Sequence, residues 1–408
     1  MTLPLAPWAL FAALIAAAGL PIYIHAPKFY VDEYAVGLGA LGAALFLLRL
    51  VDVVQDPFLG WLAEKARAWR GAMVAGAAGL MALAMLGLFA VTPPIAPLLW
   101  FSLTLLVLFS AFSFLTITFY AEGVRRAATL GPGGHLRLAG WREGGALLGI
   151  CLAAVAPVAL GALTDRPFAA FAAVFALVAV LAVWAMRREW TGAGVHVDTP
   201  NLRAALADPL TRRLLLLALV NAAPVAVTST LFLFFVESRL AAPGAEGPLL
   251  LLFFLAAALS TPVWSRLATA YGAKPMLLAG MVLAVIAFIF AARLGAGDTL
   301  AFAVICAASG AALGADMTLL PAIFARHLAQ ISDAGAGTAF GLWSFASKLS
   351  LALAAATLLP LLQARGFAAG ADNPETALAL LTTLYALVPC ALKLLAIALL
   401  AATPVPEA

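Results

Sequence analysis

Leu214-Leu215-Leu216-Leu217-Ala218-Leu219-Val220 is an unbroken apolar run, and Phe254-Leu255-Ala256-Ala257-Ala258-Leu259-Ser260 repeats the pattern with a single closing hydroxyl. Neither alternates apolar with polar residues, so neither reads as a strand of a membrane barrel, whose period is two. Each lies inside a longer apolar stretch, 211–236 and 247–270. A helix needs about 20 such residues to cross the hydrocarbon core of a bilayer. Ten further stretches meet that length: 8–27, 35–62, 72–92, 97–120, 138–163, 167–187, 274–294, 298–325, 336–363 and 376–402. Together they predict an all-α membrane protein of twelve transmembrane helices.

Composition points the same way. Of 408 residues, 65% are hydrophobic and 10% charged, with a mean hydropathy of +1.08. Soluble domains run nearer about 45–50% apolar and about 25% charged, because they need a polar skin. The same figures exclude a disordered, collagen-like or disulfide-stapled chain. Cys151, Cys306 and Cys390 all fall in apolar spans, with neither a metal-ligand spacing nor a disulfide framework. The first span lacks a basic leader segment and a cleavage site, so it is expected to be retained.

Lysine and arginine set the orientation. Fourteen of them, including Lys65, Arg70, Arg125, Arg126, Arg187, Arg203, Arg213, Arg266, Lys274 and Arg326, lie in the loops after spans 2, 4, 6, 8 and 10 or at the span ends that border them. Only five, Lys28, Arg166, Arg239, Arg293 and Arg365, lie in the opposite loops. This bias places both termini in the cytoplasm. The net charge of +4 is therefore a mark of topology, and nucleic acid is not an expected partner.

The longest interior polar stretch, 188–210, divides the chain into a six-helix bundle at 1–187 and another at 211–402, followed by a cytoplasmic tail at 403–408. Weak internal similarity supports a duplication. Pro21 and Pro224 fall at similar depths in spans 1 and 7. Asp56-Pro57 with Leu62-Ala63 is echoed by Thr261-Pro262 with Leu267-Ala268. A parallel six-plus-six repeat is the plan of the major facilitator fold, which binds its substrate near the midplane. Because Thr261 stands where the first half has Asp56, any cation-binding carboxylate is expected in the first half.

Eight ionisable residues sit inside spans: Arg49, Arg142, Lys348 and Lys393, and Asp52, Asp56, Glu143 and Asp316. Each costs roughly 2.5–3.5 kcal/mol at a helix centre on insertion scales, and such residues mark ion or substrate paths. Arg49, Asp52 and Asp56 stand at i, i+3 and i+7, on one helix face. Two carboxylates a turn apart suit a hard monovalent cation or a proton, with Arg49 holding one of them when the site is empty. The plainer reading is an internal Arg49–Asp52 ion pair and a helix-end cap at Asp56-Pro57. In span 5, Gly140-Trp141-Arg142-Glu143-Gly144-Gly145 is followed by Gly149. Its glycines admit a close neighbouring helix. Arg142 and Glu143 point about 100° apart, so one is expected to face a cavity and the other to pair sideways. Arg142 reads as a substrate contact or as an interhelix salt bridge.

In span 11, Lys348 needs a carboxylate partner, and Asp52 or Asp56 is the natural candidate. It reads as a tethered cation competing with the coupling ion, or as a static pair. Trp343 suits stacking on a sugar ring or simple packing, and Asp316 is a polar cavity residue or a structural acid. Lys393 is expected to snorkel to the cytoplasmic face. His25 is expected in a solvated loop, and Glu122 in a salt bridge with Arg125 and Arg126. No phosphate-binding loop, zinc signature or nucleophile elbow is present. A transporter is expected, and not an enzyme.

The stretch Arg49-Leu50-Val51-Asp52-Val53-Val54-Gln55-Asp56-Pro57-Phe58-Leu59-Gly60-Trp61 resembles the span-2 signature of the glycoside–pentoside–hexuronide:cation symporters, the melibiose-permease-like branch of the major facilitator superfamily. Lys348, in Gly341-Leu342-Trp343-Ser344-Phe345-Ala346-Ser347-Lys348, resembles that family's span-11 lysine, and Arg142 its span-5 arginine. The resemblance implies that Asp52 and Asp56 bind the coupling ion, Na⁺ or H⁺, with Lys348 close by. The family's sugar-binding aspartates would fall near Ala16 and Ser113, and neither acid is present. Its late span-10 acid is replaced by Ala325-Arg326, and Glu64-Lys65 stands where Asp-Arg is usual.

The expectation is a cation-coupled symporter of a small solute, a sugar or sugar derivative or an organic anion, working by alternating access. Arg142, Trp343, Lys348 and Asp316 are its candidate substrate contacts, and no cofactor is called for. A monomer in the bacterial cytoplasmic membrane is expected. A carrier of lysolipid or another amphiphile on the same fold is the alternative.

Overall fold

The computed structural model describes residues 5–65, 67–131, 133–190, 206–331, 336–367 and 373–405. Most of the expected linker, including Arg203, and the end of the tail lie outside the described residues. The helices are α1 (Ala6–Ala17), α2 (Leu20–Tyr34), α3 (Leu38–Lys65), α4 (Arg70–Phe89), α5 (Pro97–Ala128), α6 (Gly134–Gly161), α7 (Pro167–Met186), α8 (Pro209–Phe234), α9 (Glu246–Tyr271), α10 (Ala273–Ile289), α11 (Thr299–Gln330), α12 (Ala336–Ala364), α13 (Glu375–Thr382) and α14 (Val388–Ala402). A π turn, Phe235–Arg239, extends α8, and another, Thr383–Leu387, joins α13 to α14. Among the described residues, ten helical segments are long and apolar enough to cross a membrane. α3 matches them in length at 28 residues and carries Arg49, Asp52 and Asp56.

The first span departs from the single helix expected over 8–27. It breaks at Ala18-Gly19 into α1 and α2, and α2 runs on to Tyr34. Pro21 explains the break, since it donates no backbone hydrogen bond and is favoured in a helix's first turn. α2 ends at Ala35, whose φ of 52° is left-handed. Helices α5 and α11 run past their apolar stretches into Arg125-Arg126 and Arg326-His327.

The chain forms two compact units. One comprises Met1–Ala205 and Leu328–Phe345, the other Leu206–His327 and Ala346–Ala408. Within the first, α1 and α6 meet backbone to backbone. A Cβ on Gly145 would lie 2.3 Å from the Ala9 carbonyl oxygen, and one on Gly149 2.4 Å from that of Ala13. Small residues let transmembrane helices gain close dispersion contact where lipid offers no hydrophobic drive. Trp8 stacks on Phe119 at 4.9 Å, and Phe29 and Phe168 pack around Phe89. The Tyr30 hydroxyl donates to the Leu88 carbonyl at 3.2 Å. His25 is not in a solvated loop. It is partly buried on α2, with Nε2 3.1 Å from the Ala154 carbonyl of α6.

In the second unit, Phe235 stacks on Tyr385 at 4.1 Å, with Phe302 against both rings. The Trp264 indole and the Ser260 hydroxyl both donate to the Ala311 carbonyl, at 2.8 and 2.9 Å, tying α9 to α11. Asp208 caps α8 by accepting from the Thr211 amide at 2.6 Å, and it also meets His327 Nε2 at 2.7 Å. Burial pushes the Asp208 carboxyl up, but the Thr211 and His327 contacts outweigh it and hold the group below the ordinary carboxylate range. Large apolar side chains such as Val54, Leu163, Val180, Leu259 and Leu300 lie exposed, as suits helices solvated by lipid.

Gly145→Val is expected to destabilise the protein by about 1–3 kcal/mol through overpacking, whereas Gly76→Ala, which meets nothing within 4 Å, leaves the thermal midpoint in detergent unchanged. Asp208→Ala is expected to cost about 1 kcal/mol at neutral pH. Because the folded-state carboxyl is depressed, its contribution is complete above the unfolded carboxylate's ordinary value. It is lost as pH falls through the depressed value, so unfolding curves across a pH series should converge for the two proteins at the acid end.

Candidate functional site

The first unit gathers polar groups from α3, α5, α6 and the start of α12. On α3, Asp52 and Asp56 are buried, with 4% and 0% of their surface exposed. Asp52 Oδ1 accepts from Gln55 Nε2 and from Ser113 Oγ, each at 3.0 Å. Ser110 Oγ in turn donates to Gln55 Oε1 at 2.8 Å. Asp56 Oδ2 accepts from Ser344 Oγ of α12 at 2.5 Å. About two helical turns on, the Glu64 carboxylate accepts the Gly337 amide at 2.5 Å. Glycine makes this approach possible, because a Cβ on Gly60 would lie 2.7 Å from the Gly337 carbonyl oxygen and 3.2 Å from Gly341 Cα. The carboxylates are held by hydroxyl, amide and backbone donors, a necessity in an apolar bundle. Ser113 occupies the position where the resemblance would put an aspartate, and there it donates to Asp52 instead of adding a charge.

The second cluster lies on α5 and α6. Arg142 Nε donates to Glu143 Oε1 at 2.8 Å, and the Tyr120 hydroxyl donates to the same oxygen at 2.7 Å. The Arg142 guanidinium lies 3.7 Å from the Tyr120 ring centroid, a cation–π contact. Its Nη2 is buried without a hydrogen-bond acceptor among the described residues. The expected split of Arg142 and Glu143 toward different partners is thus corrected. Long side chains bend the adjacent residues back onto each other, since an unpaired charge here costs more than the rotamer constraint. Tyr120 also touches Phe340 at 5.3 Å, which packs on Trp343. Trp343 is therefore part of an aromatic chain leading to the Arg142 cluster.

A third network involves Glu122, which is buried and accepts from Arg70 Nη1 at 2.5 Å and Arg125 Nη2 at 2.6 Å. Arg126 pairs with Glu189 at 3.2 Å and not with Glu122.

In the second unit, Lys348 lies on α12 four residues beyond Ser344 and is half-buried. Asp316 pairs with Lys393, whose Nζ also donates to Asn221 Oδ1 at 2.8 Å. Lys393 does not snorkel outward. It is 4% exposed, because a buried carboxylate is a nearer partner than water. Sequence reasoning passed over Gln55, Ser110, Tyr120 and Asn221. Of these, Gln55 carried a signal, an amide three residues from Asp52 in an otherwise apolar span.

Among the described residues, no group of three or more His, Cys, Asp and Glu side chains is placed to hold a metal ion. The Asp52–Asp56 face offers carboxylate and hydroxyl oxygens, the donor chemistry of a hard monovalent cation or a proton. The family model described as MFS/sugar transport protein matches residues 8–407. The chain belongs to that family. It is an integral membrane transporter of small solutes, not an enzyme. A crystal structure of a bacterial homologue of the iron transporter ferroportin, in an outward-facing state, is similar, with a TM-score of 0.75 at 15% identity over 98% of this chain and 99% of that one. The major facilitator transporter FucP in its outward conformation gives a TM-score of 0.59 at 14% identity, covering 97% of this chain and 99% of that one. These likenesses show the major facilitator fold. No curated protein matches the chain.

Arg142→Ala, which strands Glu143, is expected to destabilise this transporter by about 3–5 kcal/mol, whereas Arg142→Met combined with Glu143→Leu recovers most of the loss. Thermal unfolding of the purified variants measures both.

Proposed function

We propose that the protein is a cation-coupled symporter of the glycoside–pentoside–hexuronide type. Na⁺ or H⁺ binds at Asp52 and Asp56, and Arg49 and Lys348 act as the competing internal cations. The observation that carries this reading is the pair of buried carboxylates on one face of α3, each accepting a serine hydroxyl, from Ser113 and Ser344. A hydroxyl that donates to a carboxylate keeps its lone pairs, so a bound cation finds oxygens of both kinds at one place.

The substrate on this reading is a small sugar derivative or organic anion. Arg142 supports it, since a buried guanidinium with an unused N–H matches an oxygen acceptor. Trp343, linked to it through Phe340 and Tyr120, supplies an apolar ring face. The halves 1–187 and 211–402 alternate about the 188–210 linker, as a monomer in the bacterial cytoplasmic membrane with both termini inside. Neutralising the carboxylates by the cation frees the helix carrying them to reorient, and this links ion binding to transport.

Asp52→Asn is expected to abolish cation-dependent uptake in proteoliposomes while the protein stays folded in the membrane. Uptake that remains intact and still responds to the cation would overturn the assignment. Arg142→Lys, which retains charge but loses the planar fork, is expected to raise KM for an anionic substrate about tenfold and to leave the cation dependence in place.

A further inference from the structure

The second unit contains a partly open cavity of about 70 Å³ that takes in Asp316, a candidate substrate contact on sequence grounds, and neither of the carboxylates proposed to bind the coupling cation. Helices α8, α9, α10, α11 and α14 wall it, with Phe253 and Phe288 among its apolar faces and Thr228, Ser309, Asp316 and Lys393 its polar ones. We propose that this cavity is a binding site for a small neutral solute bearing hydroxyl groups, such as a short polyol.

Hydrogen-bond direction decides the chemistry. Ser309 Oγ donates to the Ile305 carbonyl at 2.6 Å, and Thr228 Oγ1 donates to that of Val225 at 3.1 Å. Both hydroxyl protons are thereby spent, and only lone pairs remain for the cavity. Asp316 Oδ2 is occupied by Lys393, while Asp316 Oδ1 is buried and meets no donor among the described residues. Asp316 is only 8% exposed, so that oxygen bears the desolvation cost of an unsatisfied acceptor. The wall therefore presents these acceptors beside the third N–H of the Lys393 ammonium, and its complement is a hydroxyl, which both donates and accepts.

Charge selects among donors. Lys393 already neutralises Asp316, and Asn221 Oδ1 takes a further ammonium proton at 2.8 Å. A second cation would leave a net positive charge in a low-dielectric interior, which is costly. A hydroxyl satisfies Asp316 Oδ1 without adding charge. Size limits the solute: at about 10–15 Å³ per water-sized atom, the space takes roughly five or six heavy atoms. Glycerol fits these terms. Its C–H faces meet the phenylalanine walls and its hydroxyls meet Asp316, Ser309 and Thr228.

The test is saturation-transfer NMR on the full chain in nanodiscs, with glycerol and its ammonium isostere 2-amino-1,3-propanediol as probes, without Na⁺ and at fixed pH. Under those conditions it reads this cavity independently of the coupling proposed for Asp52. A saturable glycerol signal is expected, with the amine binding at least about tenfold more weakly. Ala284→Phe, which fills the cavity from α10, should remove the signal. Asp316→Asn should weaken binding about tenfold. If that variant fails to fold for want of a partner for Lys393, Ser309→Ala keeps the ion pair and should weaken binding about threefold. No saturable signal, equal binding of the amine, or a signal unchanged by Ala284→Phe would each overturn the proposal.

Discussion

A carboxylate taken out of water and surrounded by hydrocarbon must find donors within the protein, or it protonates or unfolds its surroundings. This requirement governs where the helices of both units can lie. Asp52 draws α5 to α3 through Ser113, and Asp56 draws the start of α12 to the same helix through Ser344. Glu122 joins the start of α4 to α5 through Arg70, and Glu143 joins α6 to α5 through Tyr120. In the second unit Asp316 does the same for α11 and α14 through Lys393. Each buried acid is thus a tether between two helices that lipid alone gives no reason to associate.

Close backbone approach is the complementary condition. Short donors such as serine reach only a few ångströms, so the helix axes must come near each other. Gly60 with Gly337 and Gly341 meets this need between α3 and α12, and Gly145 with Gly149 meets it between α6 and α1. Where the helices stand farther apart, longer side chains take over. Tyr120 and Lys393 span gaps that no serine could.

The fold was legible from the chain because a membrane span is a one-dimensional signal, set by the length and apolarity of a run. The end of α12 needed nothing more. The first span went astray because hydropathy averages over Pro21 and is blind to the backbone break it imposes. The candidate site was legible to the extent that charge in an apolar run is conspicuous, which brought out Asp52, Asp56 and Arg142. Glu122 with Arg125, three residues apart, was legible, but partners distant in sequence were not. Ser110, Tyr120 and Asn221 look like ordinary span residues, and Lys393 lies 77 positions from the carboxylate that holds it. Such pairings are properties of three-dimensional packing, and an unaligned sequence holds no trace of them.

The π turn at Thr383–Leu387 bears on how the chain tolerates changes in length. A π turn is what a helix makes of one surplus residue, absorbed without breaking the rod. Each residue turns an α-helix by about 100°, so everything after the turn is rotated by that amount relative to what precedes it. Lys393 comes after it. Removing one residue from the turn would leave a more regular helix, yet it would swing the ammonium away from Asp316 and Asn221 toward another face. In this part of the molecule, local regularity and a balanced interior are opposed, and the irregular turn is the solution the chain has kept.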